Sequence, residues 1–215
     1  KTDLISNVSH DLRTPMTSIL SYIDLMKQEG LQGPNAEEYL EVIDSKAKRL
    51  KQLIEDLFEA AKASSGDMPV RSESVDMVAL TQQVVGEYQD KIEDSNLEFI
   101  ISGKTQEFYA TADRKLVARV VENLLGNVIK YAKEDTRVYV DFGRTPASAK
   151  MPDGGVELEI KNISRNPLNV DSETLMERFQ LGDGARSGDS SGLGLAIAED
   201  LLKLQKGSLG IKIDG

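Results

Sequence analysis

The 215 residues contain one histidine, His10, in the run ISNVSHDLRTPMTSI. Imidazole is the side chain best suited to accept a proton or a group near neutral pH. Asp11 follows it directly, and Thr14 stands four residues on, hence on the same helical face. A carboxylate beside the ring fixes its tautomer and favours the charged form, leaving the other nitrogen to react. The apolar residues Leu4, Ile5, Val8, Leu12, Met16, Ile19, Leu20, Ile23 and Met26 centre on one helical direction, and His10 points about 160° away from it. That predicts a ring facing water rather than a satisfied core histidine; an incidental surface histidine is the alternative. Pro15 falls inside the same pattern, where it removes a backbone hydrogen bond and crowds the Asp11 carbonyl at a cost of ~3 kcal/mol. A loosened or bent helix beside His10 is the expected result.

Two further groups of residues could handle a phosphate. Asn123, Asn127 and Lys130 recur at i, i+4 and i+7 beside an apolar stripe of Leu116, Val117, Val120, Val121, Leu124, Leu125 and Val128. Carboxamides offer neutral oxygens to a hard cation such as Mg²⁺, which shares its ligand set between protein, phosphate and water. A lysine one turn further supplies positive charge for that phosphate. The plain alternative is a solvated polar edge. The second group is LGDGARSGDSSGLGLAIA, residues 181–198, with five glycines between Gly182 and Gly194 and then a helical pattern. Glycine-rich backbone leading into a helix N-terminus presents N–H groups and a positive dipole end to an anion. Ser190 and Ser191 are natural caps there. Neither GxxxxGK[ST] nor GxGxxG is present.

These groups need elements to carry them. The spacing predicts a helix through Met26 and a break at GLQGPN, residues 30–35. A second helix follows through Leu40, Ile43, Ala47, Leu50, Ile54, Leu57 and Ala61, stopping at Gly66 with Pro69 beyond. Two helices alone cannot enclose their apolar faces, so a second copy completing a four-helix bundle is expected, with packing on the rest of the chain as the alternative. After residue 70 the pattern becomes mixed. Strand-like runs are Arg71–Val75, Leu97–Ser102, Phe108–Thr111, Val138–Phe142, Val156–Ile160 and Leu209–Ile213. Helical patterns fall at 76–94, 113–133, 171–178 and 193–206, and MPDGG (151–155) reads as the turn of a long hairpin. This predicts a sheet covered on one face by helices, an α+β sandwich.

Composition narrows the functions. Twenty-six basic against 36 acidic residues, a formal charge of −10, argue against nucleic acid and anionic membrane as partners. The absence of cysteine excludes disulfides, thiol nucleophiles and thiolate metal sites. A single histidine leaves no multi-histidine metal centre. No apolar run approaches the ~18 residues that span a bilayer. The start at Lys1 within a periodic pattern and the end just after IKI suggest a soluble piece of a longer chain.

Taken together, the motifs resemble those of the two-component sensor histidine kinases. ISNVSHDLRTPMTSI is similar to the family's phosphoacceptor box, ENLLGNVIKYA to its asparagine box, ERF (177–179) to its phenylalanine box and SGLGLAIA to its glycine box, in the family's order. The resemblance implies a dimerisation and phosphotransfer hairpin over residues 1–66. It further implies a catalytic ATP-binding domain of the gyrase, Hsp90, histidine kinase and MutL type over 67–215, lacking its last strand. It implies that His10 takes the γ-phosphate of ATP, that Asp11 assists the ring, and that Thr14 positions water for phosphatase action on the partner. Asn127 would hold Mg²⁺ with Asn123 beside it, Lys130 and Tyr131 would reach the nucleotide, and Gly192 and Gly194 would border a lid over the phosphates. An aspartate of a response regulator would receive the phosphoryl group. The chain would be the cytoplasmic portion of a membrane-anchored sensor, homodimeric through 1–66 and itself without membrane contact. One departure stands out: where the family has Asp-x-Gly-x-Gly, this chain reads Asn162-Ile-Ser-Arg-Asn. A carboxamide can still accept a hydrogen bond from the adenine amine, but without charge assistance, at a loss of ~1 kcal/mol. A non-catalytic dimeric docking scaffold with a degenerate nucleotide domain is the alternative function.

Overall fold

Helix α1, Thr2–Glu29, and helix α2, Ala36–Ser65, fold back on one another as a hairpin in a computed structural model. The structure describes residues 2–30, 33–66, 68–103, 107–146, 154–166 and 193–213, with side chains from Asp11 onward. Gly30, in the left-handed region at φ +83°, ends α1, and its N–H donates to the Met26 carbonyl. Tyr39 near the start of α2 donates to Glu29 Oε1 at 2.9 Å and packs its ring at a tilt against that of Tyr22, clasping the hairpin at its closed end. Gly66, at φ +77°, terminates α2, as the sequence predicts.

The apolar face of α1 divides in two. Leu12, Pro15, Ile19, Ile23 and Met26 turn inward, with Pro15 and Met26 buried, whereas Met16 and Leu20 stay about half exposed. On α2, Leu40 and Phe58 are likewise open to solvent. Pro15 does not interrupt α1, which continues through it.

The rest of the described chain forms two small sheets and four helices. In order these are β1 (Glu73–Asp76), α3 (Met77–Glu87), α4 (Gln89–Asp94), β2 (Glu98–Ile101), β3 (Tyr109–Ala112), α5 (Arg114–Tyr131), β4 (Arg137–Thr145), β5 (Gly155–Lys161) and α6 (Gly194–Leu204). Strand β1 pairs antiparallel with β3. β4 lies centrally between β2, parallel to it, and β5, antiparallel, with Tyr139 opposite Lys161 and Thr145 opposite Gly155. The expected hairpin is present; most of its MPDGG turn lies outside the described residues, as does the helix expected at 171–178.

Three expectations need correction. Among the described residues the strands of the expected sheet form two ladders. The helix expected over 76–94 is broken at Tyr88 into α3 and α4, with Asp76 capping α3 by accepting from the N–H groups of Val78 and Ala79 at 3.0 Å each. The run Leu209–Ile213 alternates in burial as a strand would, but has no ladder partner among the described residues. Alternation gives one face an apolar environment; only a neighbouring strand makes a ladder.

Helices cover one face of the β2–β4–β5 sheet. Val138 and Val140 point into it and are fully buried. The other face carries ion pairs of Arg137 with Glu98 and of Lys161 with Asp141 and Glu159. Helix α5 is the common member of the cores. Val117, Val121 and Leu125 pack with α3, β1 and Phe108, Leu116 and Val120 pack with α6 and α2, and Val128 packs with Leu97 and Val138. Leu125 and Val121 are fully buried. Burying side chains of this size contributes ~1.5–3 kcal/mol each.

Candidate functional site

The stripe predicted on α5 is real. Asn123, Asn127, Lys130 and Tyr131 are all half-buried along one side of that helix, beside its core face. Asn123 Nδ2 donates to the Arg119 carbonyl one turn back at 3.0 Å, which fixes the carboxamide. Lys130 Nζ lies 5.0 Å from the centroid of the Tyr131 ring, a cation–π contact that positions both at the end of the helix.

Two chain segments distant in sequence meet this stripe. The first is the start of α6. A Cβ added to Gly194 would lie 3.2 Å from Asn123 Oδ1, so the glycine lets α6 and α5 approach more closely than any other residue would. The second follows β5. The Lys133 N–H donates to the Ile163 carbonyl and the Arg165 N–H to the Tyr131 carbonyl, both at 2.8 Å, and Arg165 pairs with Glu134 at 3.0 Å. These bonds hold the 163–165 segment, and exposed Asn162 before it, against the C-terminal end of α5. Asn123, Gly194, Tyr131 and the Asn162 segment are thus gathered around one helix, although 71 residues separate Asn123 from Gly194.

The donor set suits Mg²⁺ held jointly with phosphate. Among the described residues no group of three or more His, Asp or Glu side chains could hold a metal. Asn127 could offer one neutral oxygen donor, the kind needed by an ion that keeps water and phosphate oxygens as its other ligands.

Asp11 on α1 is half-buried and Thr14 exposed, one helical turn apart, and buried Pro15 follows. The His10 backbone is helical; the direction of its ring, Gly192 and the glycine-rich run to residue 192, and ERF at 177–179 lie outside the described residues.

Sequence reasoning missed two groups of residues. Asp113, 7% exposed, caps α5: its Oδ2 accepts from the Arg71 N–H at 2.7 Å and its Oδ1 from Lys115 and Leu116. Its own N–H donates to Gln205 Oε1 at 2.7 Å. The Arg71 N–H above all, against the opposing effect of burial, and with the other two N–H groups, holds this carboxyl below its ordinary value. Asp113 thereby ties the segment after α2, the start of α5 and the end of α6 together. An Asp just before an apolar-periodic run is a legible cap signal; its long-range partners are not.

The second group is Arg119, which reaches from α5 to α2. Its Nε meets Glu59 Oε2 at 2.8 Å, its Nη2 meets Asp56 Oδ1 at 3.0 Å, and its Nη1 meets Glu122 Oε2 at 3.1 Å. Burial pushes its pKa down, but Glu59, Glu122 and Asp56 outweigh that and hold it above its ordinary value. Around it Ala60 and Ala63 of α2 pack with Leu116, Val120, Leu193, Ile197, Ala198 and Leu201, and Leu12 of α1 packs against the same cluster. The available signal was the spacing of Asp56, Glu59, Ala60 and Ala63, at i, i+3, i+4 and i+7 of one helix.

Residues 1–66 match the His Kinase A (phospho-acceptor) domain, and residues 112–214 match the histidine kinase-, DNA gyrase B- and HSP90-like ATPase family. The sensor protein VanSC of Enterococcus gallinarum is 30% identical over 212 residues, covering 97% of this chain and 56% of that protein. The chain spans about half the length, or less, of the curated relatives it matches. Among solved structures, the histidine kinase ThkA in complex with the response regulator protein TrrA has a TM-score of 0.68 at 19% identity, covering 93% of this chain and 53% of that one. Full-length ShkA in complex with AMPPNP has a TM-score of 0.60 at 18% identity, covering 95% and 41%. These two structures share the fold. Among the described residues no helix is long and apolar enough to cross a membrane.

Proposed function

The chain belongs to the sensor histidine kinases, as the catalytic core of a two-component kinase with phosphoacceptor and ATP-binding domains in tandem, and on that premise we propose that it phosphorylates His10 from ATP and passes the phosphoryl group to an aspartate of a response regulator. The observation that carries this reading is the gathering of Asn123, Asn127, Lys130 and Tyr131 on α5 with Gly194 and the Asn162 segment around them. Phosphoryl transfer asks a protein mainly for positioning and charge neutralisation, and these residues are of the types that supply both.

In the proposed reaction the imidazole nitrogen of His10 attacks the γ-phosphorus, the bond to the β–γ bridging oxygen breaks, and ADP leaves. Asp11 holds the ring in the reactive tautomer. Lys130 places positive charge near the phosphates, Tyr131 offers an aromatic face to the base, and the Asn162 carboxamide accepts from the adenine amine. Asn127 would hold Mg²⁺, which would supply charge neutralisation at the phosphate oxygens. Thr14, exposed on the face following Asp11, orients water for phosphatase action on the regulator. Gly192 and Gly194 border the phosphates.

The domain division 1–66 and 67–215 belongs to this proposal, as does homodimerisation through 1–66. Met16, Leu20, Leu40 and Phe58 leave on the hairpin an apolar face that a second copy would cover. A cytoplasmic position beside ATP and a regulator, within a membrane-anchored sensor, completes the reading.

Incubation with γ-labelled ATP and Mg²⁺ tests it. The expected product is acid-labile, alkali-stable label on the wild type, absent from His10→Gln and from Asn127→Ala. An unlabelled wild type with no nucleotide-dependent thermal shift would select the docking scaffold, which Asn162 in place of the family aspartate favours.

A further inference from the structure

We propose that Arg119 is a positioning residue for phosphoryl transfer, holding the ATP-binding unit on the turn of α2 that lies beside the phosphoacceptor segment of the same chain. The role in transfer rests on the kinase reading above; the docking itself does not.

The apolar contact between the two units is not enough to set their pose. Ala60 and Ala63 are small, so α6 can approach α2 closely, but a cluster of aliphatic groups has no directional preference and tolerates sliding. A guanidinium does have one: its N–H groups lie in a rigid plane, and here three separate nitrogens each meet a different carboxylate at 2.8–3.1 Å. Two of the carboxylates belong to α2 and one to α5, so rotation or translation of either unit breaks at least one bond. The group is sheltered, with side-chain exposures of 27% for Arg119, 13% for Asp56 and 19% for Glu59, so solvent screens it little.

The charge count sharpens the point. The Arg119 guanidinium meets three carboxylates, and its loss takes away the positive charge it holds between Glu122 on α5 and Asp56 and Glu59 on α2, which weakens attraction across the interface.

The location links this contact to the reaction. Leu12, two residues beyond His10, packs against the same cluster as Leu57 and Ala60, which puts the α2 turn bearing Asp56 and Glu59 level with the phosphoacceptor segment. At the other end Arg119 is one turn before Asn123 on the polar side of α5, and its carbonyl accepts from the Asn123 side chain. A shift in the pose of α5 on α2 is therefore carried to the nucleotide stripe through a single helical turn. Arg119 acts on how often donor and acceptor meet in line, and not on how tightly the nucleotide is held.

Two measurements on the whole chain test this. The chain has no cysteine, so Lys48→Cys on α2 and Gln82→Cys on α3 take a pair of dyes without further changes, and energy transfer between them reports docking without any nucleotide. Arg119→Glu is expected to shift and broaden the transfer distribution, and Arg119→Glu with Glu59→Arg to bring it back toward wild type. In single-turnover labelling, Arg119→Glu should lower the transfer rate about tenfold or more, since misplacement by an ångström is enough for that. Its ADP affinity should stay within about twofold of wild type, and the charge-swapped pair should recover most of the rate. The inference is overturned if Arg119→Glu leaves the dye distances unchanged, if the loss falls on nucleotide affinity, or if labelling holds or accelerates. An unlabelled wild type whose docking still depends on Arg119 would refute the kinase reading, and the transfer role with it, while the latch between units stands.

Discussion

Replacing Gly194 by alanine should destabilise the chain when Asn123 is present and stabilise it when Asn123 is absent. In a helix, Gly→Ala ordinarily gains up to ~1 kcal/mol, and about half of that is reasonable at the first residue of α6. Against this, the new Cβ would lie 3.2 Å from Asn123 Oδ1, where ordinary contact begins at 3.4 Å. Neither partner yields freely. The carboxamide is tied to the Arg119 carbonyl at 3.0 Å, and turning it away gives up a hydrogen bond of ~1 kcal/mol. Helix α6 is seated by Ile197, Ala198 and Leu201, all fully buried, so sliding it disturbs packed contacts. The net expectation is a loss of about 0.5 kcal/mol in the wild-type background and a gain of about 0.5 kcal/mol with Asn123→Ala, a coupling of about 1 kcal/mol. Urea midpoints of the four members of this cycle measure it. Equal effects of Gly194→Ala in both backgrounds would refute the contact between α5 and α6 and the placement of Asn123 built on it.

Two other outcomes are expected. The Asp113 carboxyl has a folded pKa below its ordinary 3.8, so its contribution is present above that value and is lost as pH falls through the depressed one. Asp113→Asn leaves the part-buried Arg71 N–H facing an amide and should cost about 1 kcal/mol at neutral pH. The gap from wild type in urea midpoint should narrow as pH is lowered below about 4, and a gap independent of pH would contradict the assignment. Asn162→Asp, restoring charge where the adenine amine is expected, should tighten ADP binding about fivefold by calorimetry, corresponding to ~1 kcal/mol; unchanged affinity would mean that Asn162 does not meet the base.

Much of the architecture could be read directly from the chain. The two hairpin helices, the Gly66 stop and the apolar stripe of α5 all follow from periodicity, because a helix that buries one side must repeat apolar residues every three or four positions. Asn123, Asn127 and Lys130 were legible for the same reason, being polar positions that interrupt no core contact. What failed was whatever depends on partners far away in sequence. Leu209–Ile213 has the alternation of a strand, yet alternation does not specify a neighbour. Arg119 looks like any surface arginine of an amphipathic helix; nothing local in the sequence says that Asp56 and Glu59, about sixty residues earlier, wait for it. The contact of Gly194 with Asn123 was equally hidden, since a glycine after a glycine-rich run reads as loop chemistry and not as a place where two helices touch.

Helix α5 is shared by three apolar clusters, and this constrains how the molecule can vary. A helix gripped on several sides can be neither lengthened, shortened nor rotated without disturbing all of its neighbours at once. Insertions are therefore tolerable in the connections around it and almost nowhere along it. Change in such a chain has to fall on the open face of the hairpin and the outer sheet face, while the residues along α5 can only change together.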